Sequence, residues 1–294
     1  MKEKTLVHLN NYYKKTVIGI LMSAISFSAF SEEKKIDFLE TNWSFEGIFG
    51  TFDRASLQRG YQVYQEVCSG CHSVQYLSYR NLSEKGGPEF SVEEAKAIAS
   101  QFELEDGPNS DGEMFMRSAR LSDHFVKPYP NVEASTAANG GAYPPDMSVL
   151  AKARAGGADY IYSLLMGYGE PPAGFELDDG VYYNKYMPGN KIKMSEPISD
   201  EIVEYSDGTQ PTKSQIAKDV TAFLVWTSEP HLESQHKMGF KTIIYLIILI
   251  TLVYMSKQKV WSRFSSKTKE EDETFDKVER VITEYEGEDP KSFK

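Results

Sequence analysis

Two cysteines and a histidine form the group in this sequence whose types and spacing indicate cofactor chemistry. Cys68 and Cys71 are the only cysteines, and His72 directly follows the second. On one helical turn, positions i, i+3 and i+4 share a face, so two thiols and an imidazole would project together. Two thiols at this spacing can bond the two vinyl groups of a haem while the imidazole reaches the iron. We therefore predict one covalent haem c, held by both cysteines with His72 as an iron ligand.

Two other kinds of site also use Cys-x-x-Cys. A thioredoxin-like redox pair needs a βαβ frame, and half a zinc site needs two further ligands at close spacing. The sequence around Cys68 and Cys71 shows neither feature. If both thiols carry thioethers, no cysteine is left for a disulfide.

Spacing alone leaves the second axial ligand of the iron open. A methionine thioether there raises the reduction potential and closes the iron to substrates. The candidates are Met147, Met166, Met187 and Met194, with His124, His231 and His236 as alternatives. Met187 and Met194 share a loop framed by proline and glycine before the last soluble helix, a position that suits a distal ligand. His231 and His236 lie beside a predicted membrane anchor, and we expect His124 to be a surface or structural histidine.

The N-terminus has the pattern of a secretory signal peptide. Lysines precede an apolar run that ends at Phe30, and the small residues Ala29 and Ser31 precede a charged stretch. This pattern predicts a signal peptide over residues 1–31 with cleavage after Ser31. Mitochondrial presequences are rich in arginine and poor in acids, so a bacterial export signal is favoured.

A second apolar run, from Gly239 to Met255, predicts a membrane anchor. It contains one charge, Lys241. At about 1.5 Å per residue the run covers about 26 Å, so flanking residues must help to cross a hydrocarbon core of about 30 Å. Lysines, an arginine and a tryptophan follow Met255, which predicts that this end stays inside the cell.

These segments predict a simple order along the chain. Residues 32–237 form a periplasmic haem domain, residues 238–256 span the bacterial inner membrane once, and residues 257–294 form a charged cytoplasmic tail. We expect the tail to be solvated and partly disordered, although Phe275, Val278, Val281 and Ile282 could form one short amphipathic helix.

The exported part reads as helices separated by long loops rich in glycine and proline. Asp53 is a candidate N-cap, and Ser91 opens a capping-box pattern. The predicted helices are Ala55–Cys68, Ser91–Phe102, Asp159–Tyr168 and Lys213–Ser228. Loops of such length in a compact domain are usually functional.

Charge excludes one class of partner and favours another. The chain has 43 acidic and 32 basic side chains, a net of −11, and residues 32–237 have 32 acidic and 18 basic ones, a net of −14. Nucleic acid binding needs clustered lysine and arginine, so it is not expected. Acidic clusters at residues 103–113 and 176–179 would instead steer a basic protein partner towards this domain.

From Asn42 to Arg263 the sequence resembles cytochrome c1, the haem subunit of the cytochrome bc1 complex. The residues that carry the resemblance occur in the family's order. They are Gly60–Tyr64, Cys68–Ser73, Tyr76–Arg80, Ala137–Asp146, Ala153–Gly157, Asp159–Tyr160, Gly167–Pro172, Asn184–Met194, Pro197 and Gln215–Pro230.

The resemblance implies a fold and a set of site residues. The fold is mainly α, a class I cytochrome c-like haem domain with long loop insertions and one C-terminal transmembrane helix. Met194, not Met187, occupies the family's axial methionine position. Arg154 and Tyr160 would lie near a haem propionate, where a guanidinium can compensate a partly buried carboxylate. Pro145 would pack against the haem.

The resemblance also implies a function and partners. The chain would pass single electrons from the Rieske iron–sulfur protein to a soluble cytochrome c, within a membrane complex that contains cytochrome b and is dimeric. Alone it would not be an enzyme. An anchored monohaem subunit of an oxidase or nitric oxide reductase would lack the matches around Arg154 and Met194, and a haem sensor or enzyme would need an open iron site. This sequence departs from the family in having no second cysteine pair and a longer acidic tail after Arg263.

Overall fold

The computed structural model describes residues 36–286, so the predicted signal peptide over residues 1–31 lies outside the described residues. The described part is mainly helical, as predicted. Its helices are α1 (Arg54–Val63), α2 (Val92–Ser100), α3 (Val132–Ala138), α4 (Leu150–Ala153), α5 (Gly157–Met166), α6 (Lys213–Ser228) and α7 (Leu232–Glu286). Its strands are β1 (Glu103–Asp106), β2 (Phe115–Ser118), β3 (Tyr182–Tyr183) and β4 (Lys191–Ile192).

Helix α1 begins where the sequence predicts. The Asp53 carboxylate accepts hydrogen bonds from the backbone N–H groups of Ala55 and Ser56, and so caps the first turn. After α1 the chain continues without a break as a π-helical turn over Tyr64–Cys68. Together these two segments cover the predicted helix.

Helices α1 and α6 cross closely and form the centre of the core. Gly60 faces the backbone of Asp219 on α6, with no room for a side chain between them. The rings of Tyr61 and Tyr64 pack against Phe223, with centroids 5.8 and 5.6 Å apart. Arg59 and Asp219 form an ion pair at 2.9 Å across the same crossing. The crossing therefore fixes the position of the chain that leads into Cys68.

Two predicted helices are shorter or shifted. Helix α2 ends at Ser100, two residues before the predicted end, although its capping box between Ser91 and Glu94 forms as expected. Helix α5 begins and ends two residues earlier than predicted, because Gly156, with a φ of +91°, precedes it and Gly167 closes it. Helix α6 has the predicted bounds, and Thr212 caps it.

Some short elements lie where we expected only loops. Helix α3 has seven residues and α4 has four, and the strands form two antiparallel pairs, β1 with β2 and β3 with β4. Elements of two to seven residues carry too little periodicity to be recognised in a sequence. The β3–β4 pair matters for the site, because β4 ends two residues before Met194.

Helix α7 contains the predicted anchor and continues well beyond it. Residues Leu232–Ser262 are long and apolar enough to cross a membrane, and none of the apolar stretch is buried against the rest of the chain. The expectation of a partly disordered tail with one short helix was wrong up to Glu286, because the same helix runs on to that residue. Residues 267–280 include several lysines, glutamates and an arginine, which are good helix formers and favour the continuation.

Substitution of Gly60 by alanine should destabilise the domain strongly. A Cβ atom there would overlap the carbonyl oxygen of Asp219 and lie 2.8 Å from the Cβ of Phe223. We expect the free energy of unfolding to fall by about 3 kcal/mol, since the two helices must move apart. Denaturant unfolding of the full chain in detergent measures this loss. Gly169→Ala, where a Cβ meets no atom within 4 Å, is the matched control; equal stabilities of the two variants would refute the tight crossing.

Candidate haem site

The Cys-x-x-Cys-His sequence forms one closed turn at the end of the π-helical segment. The carbonyl oxygen of Cys68 accepts hydrogen bonds from the backbone N–H groups of Cys71 at 3.1 Å and His72 at 2.9 Å. Cys68 is half-buried, Cys71 is exposed, and neither thiol is in a disulfide. Burial, with Cys71 nearby, raises the pKa of the Cys68 thiol to about 12. One turn therefore presents two unbridged thiols and an imidazole.

A backbone carbonyl determines which nitrogen of His72 is available to a metal. Nδ1 of His72 lies 2.8 Å from the carbonyl oxygen of Pro145. A carbonyl can only accept, so Nδ1 must carry the proton and Nε2 keeps its lone pair. Burial lowers the pKa of His72, which favours the neutral ring. The imidazole is thus oriented and in the protonation state that a metal ligand needs.

Asp146 holds the loop that supplies this carbonyl. Its carboxylate accepts hydrogen bonds from the Ser73 hydroxyl at 2.7 Å and from the backbone N–H groups of Gln75 at 3.1 Å and Ser148 at 2.9 Å. Burial acts to raise the pKa of Asp146, but the hydrogen bonds outweigh it and keep the pKa below its ordinary value of 3.8. The ionised carboxylate therefore ties the Pro145 loop to the chain just after His72.

Met194 lies in a second segment that approaches the same loop. The side chain of Met194 is half-buried, and its carbonyl oxygen accepts a hydrogen bond from the Tyr168 hydroxyl at 3.1 Å. The ammonium group of the preceding Lys193 donates to the carbonyl oxygen of Gly140 at 3.3 Å. Gly140 belongs to the loop that leads to Pro145, so the two ligand-bearing segments are neighbours.

The remaining candidates for the second axial ligand differ in their burial and in their hydrogen bonds. Met147 is buried in the core and Met166 is half-buried against it, so both thioethers take part in apolar packing. The ring of His124 bonds the Leu77 carbonyl oxygen at 3.3 Å, and that of His236 bonds the Gly50 carbonyl oxygen at 3.1 Å. Both histidines have structural contacts, as expected for His124. Half-buried Met187, at the start of a 3₁₀ turn over Pro188–Asn190, remains beside Met194 as a geometrical alternative.

Arg154 and Tyr160 lie at the turn into α5. The Arg154 side chain is exposed, and its guanidinium bonds the Ala153 carbonyl oxygen at 3.1 Å. Within the described side chains it forms no ion pair with a carboxylate. The ring of Tyr160 packs edge-on against Phe38 at 5.7 Å. Burial, with Glu196 and Tyr160 nearby, raises the pKa of Tyr168, so Tyr160 is close to the residue that holds Met194.

Tyr168 and Asp146 are positioning residues that the sequence did not single out. Both lie inside segments that resemble the family. Their roles depend on partners 26 and 73 positions away in the chain, Met194 and Ser73. The identity of a side chain as a hydroxyl or a carboxylate does not indicate a partner so far away in the chain. Only the tertiary structure therefore reveals these two roles.

The donor set fits a covalent haem better than the two alternatives. Among the described residues, no group of three or more His, Cys, Asp and Glu side chains is placed to hold a metal ion, so a zinc site lacks ligands. The strands of residues 36–286 form only antiparallel pairs, so no parallel βαβ frame surrounds Cys68 and Cys71. Two free thiols, an oriented neutral imidazole and a half-buried thioether match the chemistry of a c-type haem.

Comparison with known proteins gives a consistent result. The cytochrome C1 family model matches residues 43–264. A cytochrome b/c1 protein of Bradyrhizobium diazoefficiens is 47% identical over 239 residues, which are 75% of this chain and 35% of that protein. A mitochondrial cytochrome c1 haem protein of Arabidopsis thaliana is 44% identical over 251 residues, 85% of this chain and 81% of that protein. Cytochrome c1 of Rhodospirillum rubrum is 41% identical over 257 residues, 82% and 93% of the two chains. The chain thus spans about a third of the Bradyrhizobium protein and most of the other two.

Substitution of Asp146 by asparagine should have an effect that depends on pH. The pKa of Asp146 is lower in the folded chain than its ordinary value, so the carboxylate stabilises the fold above pH 3.8 and loses this effect as pH falls through the lower folded pKa. We expect the variant to be less stable by about 1–2 kcal/mol near neutral pH, with a difference that shrinks below pH 3.8. Denaturant unfolding at several pH values measures the difference. Asp179→Asn, which changes an exposed side chain, is the control. If the difference in the free energy of unfolding between the Asp146→Asn variant and the unsubstituted protein stayed constant with pH, the ionised Asp146 carboxylate would not stabilise the fold.

Proposed function

The chain belongs to the cytochrome c1 family, and from this premise we propose that it transfers single electrons through one haem c held by Cys68, Cys71, His72 and Met194. Family membership makes it a membrane-anchored, electron-transfer haem subunit of a bc1-type complex. It is not an independent catalyst, because electron transfer of this kind makes and breaks no substrate bond. The observation that carries the ligand assignment is the hydrogen bond between His72 Nδ1 and Pro145, which leaves Nε2 for the iron.

The protein residues provide attachment, orientation and tuning. When bound, the haem supplies an iron that is reduced and oxidised by one electron. The Cys68 and Cys71 sulfurs would hold the haem by thioether bonds, so that it stays attached if one iron ligand is lost. His72 is oriented by the Pro145 carbonyl oxygen, and burial of the ring favours its neutral form. The Met194 thioether would be the second protein ligand of the iron, and such a ligand raises the reduction potential and excludes other ligands.

Further residues of the site act on the haem edge. Arg154 is an exposed guanidinium without a carboxylate partner among the described side chains, in a domain with a large acidic excess. This arrangement suits a cation that pairs with a haem propionate. Tyr160, in the first turn of α5, would contact the same edge, and Pro145 would pack on the His72 side.

We assign the electron donor and acceptor from the family and from charge. The donor is the Rieske iron–sulfur protein, the acceptor is a soluble cytochrome c, and the subunit sits with cytochrome b in a dimeric complex. The acidic group at residues 176–179 lies on the Met194 side, because Asp178 pairs with Lys191 of β4 at 3.3 Å. Acidic side chains there would draw a basic carrier towards the haem edge and allow short encounters.

The topology follows the segments predicted from the sequence. Residues 32–237 face the periplasm, residues 238–256 cross the inner membrane within α7, and residues 257–294 lie in the cytoplasm. The apolar part of α7 supports the span. The basic residues after Met255 support the orientation.

Substitution of Met194 by leucine should remove the sixth ligand without removing the haem. We expect loss of the methionine–iron charge-transfer band at the red edge of the visible spectrum and a large drop in the reduction potential. Optical and EPR spectra with a redox titration of the full chain measure both. Met187→Leu is the matched control, because Met187 is also half-buried in the same loop. The methionine–iron band should persist in the Met187→Leu variant. Carbon monoxide binding to the unsubstituted protein, or a band lost only in the Met187→Leu variant, would refute the assignment.

Substitution of Arg154 by glutamine should lower the reduction potential of the haem, because a propionate without a compensating cation favours the oxidised iron. The same redox titration of the full chain measures this change.

Neutralising acidic residues near Met194 should slow the encounter with the carrier. Glu176→Gln with Asp179→Asn removes two exposed charges, so the second-order rate with a basic cytochrome c at low ionic strength should fall several-fold. Stopped-flow kinetics over a range of salt concentrations measures this rate. Glu103→Gln with Glu105→Gln removes two exposed charges from β1 and should have a smaller effect. An equal loss for both pairs would mean that net charge, not this patch, steers the partner.

A further inference from the structure

A tight turn before α1 carries two large apolar side chains into solvent. The backbone N–H of Gly50 donates to the carbonyl oxygen of Gly47, and Gly47 has a φ of +81°, which the turn requires. Ile48 and Phe49, at the tip, are each 74% exposed. Exposed apolar side chains indicate a contact with an apolar partner where they form part of a larger continuous apolar surface.

The base of this turn is rigid. The backbone N–H of Thr51 donates to the carbonyl oxygen of Ser44 at 2.9 Å, which closes the loop. The rings on either side of it, Phe45 and Phe52, are buried and lie 5.1 Å apart. The exposure of the tip is therefore set by the fold.

Polar contacts fix the turn to the start of α7. The Glu233 carboxylate accepts hydrogen bonds from the backbone N–H of Phe52 at 3.0 Å and from the Arg54 guanidinium at 2.9 Å. One turn later, Nδ1 of His236 lies 3.1 Å from the carbonyl oxygen of Gly50 and donates to it. The turn that carries Ile48 and Phe49 therefore lies alongside the start of α7, the helix that continues into the predicted membrane span.

The tip of the turn is level with the beginning of that span. The rings of Phe49 and Phe240 lie 5.9 Å apart in an edge-to-face arrangement. Phe240 is 52% exposed and lies two residues inside the predicted span of 238–256. Met238 is also exposed and belongs to the same apolar surface. Ile48 and Phe49 therefore lie beside the exposed apolar side chains of α7 and widen this surface.

We propose that the Ile48–Phe49 turn enters the lipid bilayer on the haem-domain side, as a second membrane contact beside α7. Continuity with the membrane-facing part of α7 identifies the partner as lipid, because side chains at the same depth on that helix face hydrocarbon. A domain on a single helix can tilt about it, whereas two contacts fix its tilt. Because α1 follows this turn directly, the second contact would also set the distance of Cys68–His72 from the membrane surface.

Site-directed spin labelling of the intact complex in lipid nanodiscs tests this contact. Ile48→Cys receives a nitroxide, and Val132→Cys, at an exposed side chain in α3 of the haem domain, is the matched control. Labelling of the unsubstituted complex gives the background, and haem spectra verify the fold. The nitroxide at position 48 should collide several-fold more often with oxygen, relative to a water-soluble nickel chelate, than the nitroxide at position 132.

Two outcomes would overturn the proposal. A ratio at position 48 equal to that at position 132 would place the turn in water. Shielding of position 48 from both oxygen and the nickel chelate would place it against a protein neighbour within the complex. Neither outcome affects the haem ligation, which the Met194→Leu spectra test separately.

Discussion

The close crossing of α1 over α6 joins the two functional ends of this protein. Gly60 permits the contact because a side chain there would overlap the backbone of Asp219, and aromatic rings fill the space on both sides. Helix α1 leads directly into the turn with Cys68 and His72, and α6 leads within four residues into the membrane-anchored α7. The crossing therefore fixes the candidate haem site relative to the anchor.

The crossing also contains a buried charge that must be compensated. Asp219 is fully buried, and it pairs with Arg59 and accepts hydrogen bonds from Ser56 and Gln215. A buried ion pair adds little net stability compared with apolar packing, but loss of one partner is costly. This pair therefore makes the register of α1 on α6 specific. The many exposed carboxylates elsewhere have no such constraint, which leaves them available to attract a partner.

Electron transfer benefits from a site that changes little between its two redox states, and the hydrogen bonds here favour that. His72 is held by Pro145, whose loop is held by Asp146, and Met194 is held through its carbonyl oxygen by Tyr168. Each proposed ligand is thus fixed by a second residue from a distant part of the chain. Such outer contacts orient the ligands and keep them in place when the charge of the site changes.

The sequence by itself determined the features that depend on neighbouring residues. Cys68, Cys71 and His72 predicted the attachment turn, Asp53 and Ser91 predicted helix starts, and a 17-residue apolar run predicted the anchor, because each signal lies within a few positions. The family resemblance added the prediction that Met194 is the second axial ligand. Only the tertiary structure decided that Met147 is a core residue, that Tyr168 and Asp146 position the site, and that Ile48 and Phe49 lie beside Phe240. These facts depend on contacts between residues far apart in the chain, where side-chain type gives no information about the partner.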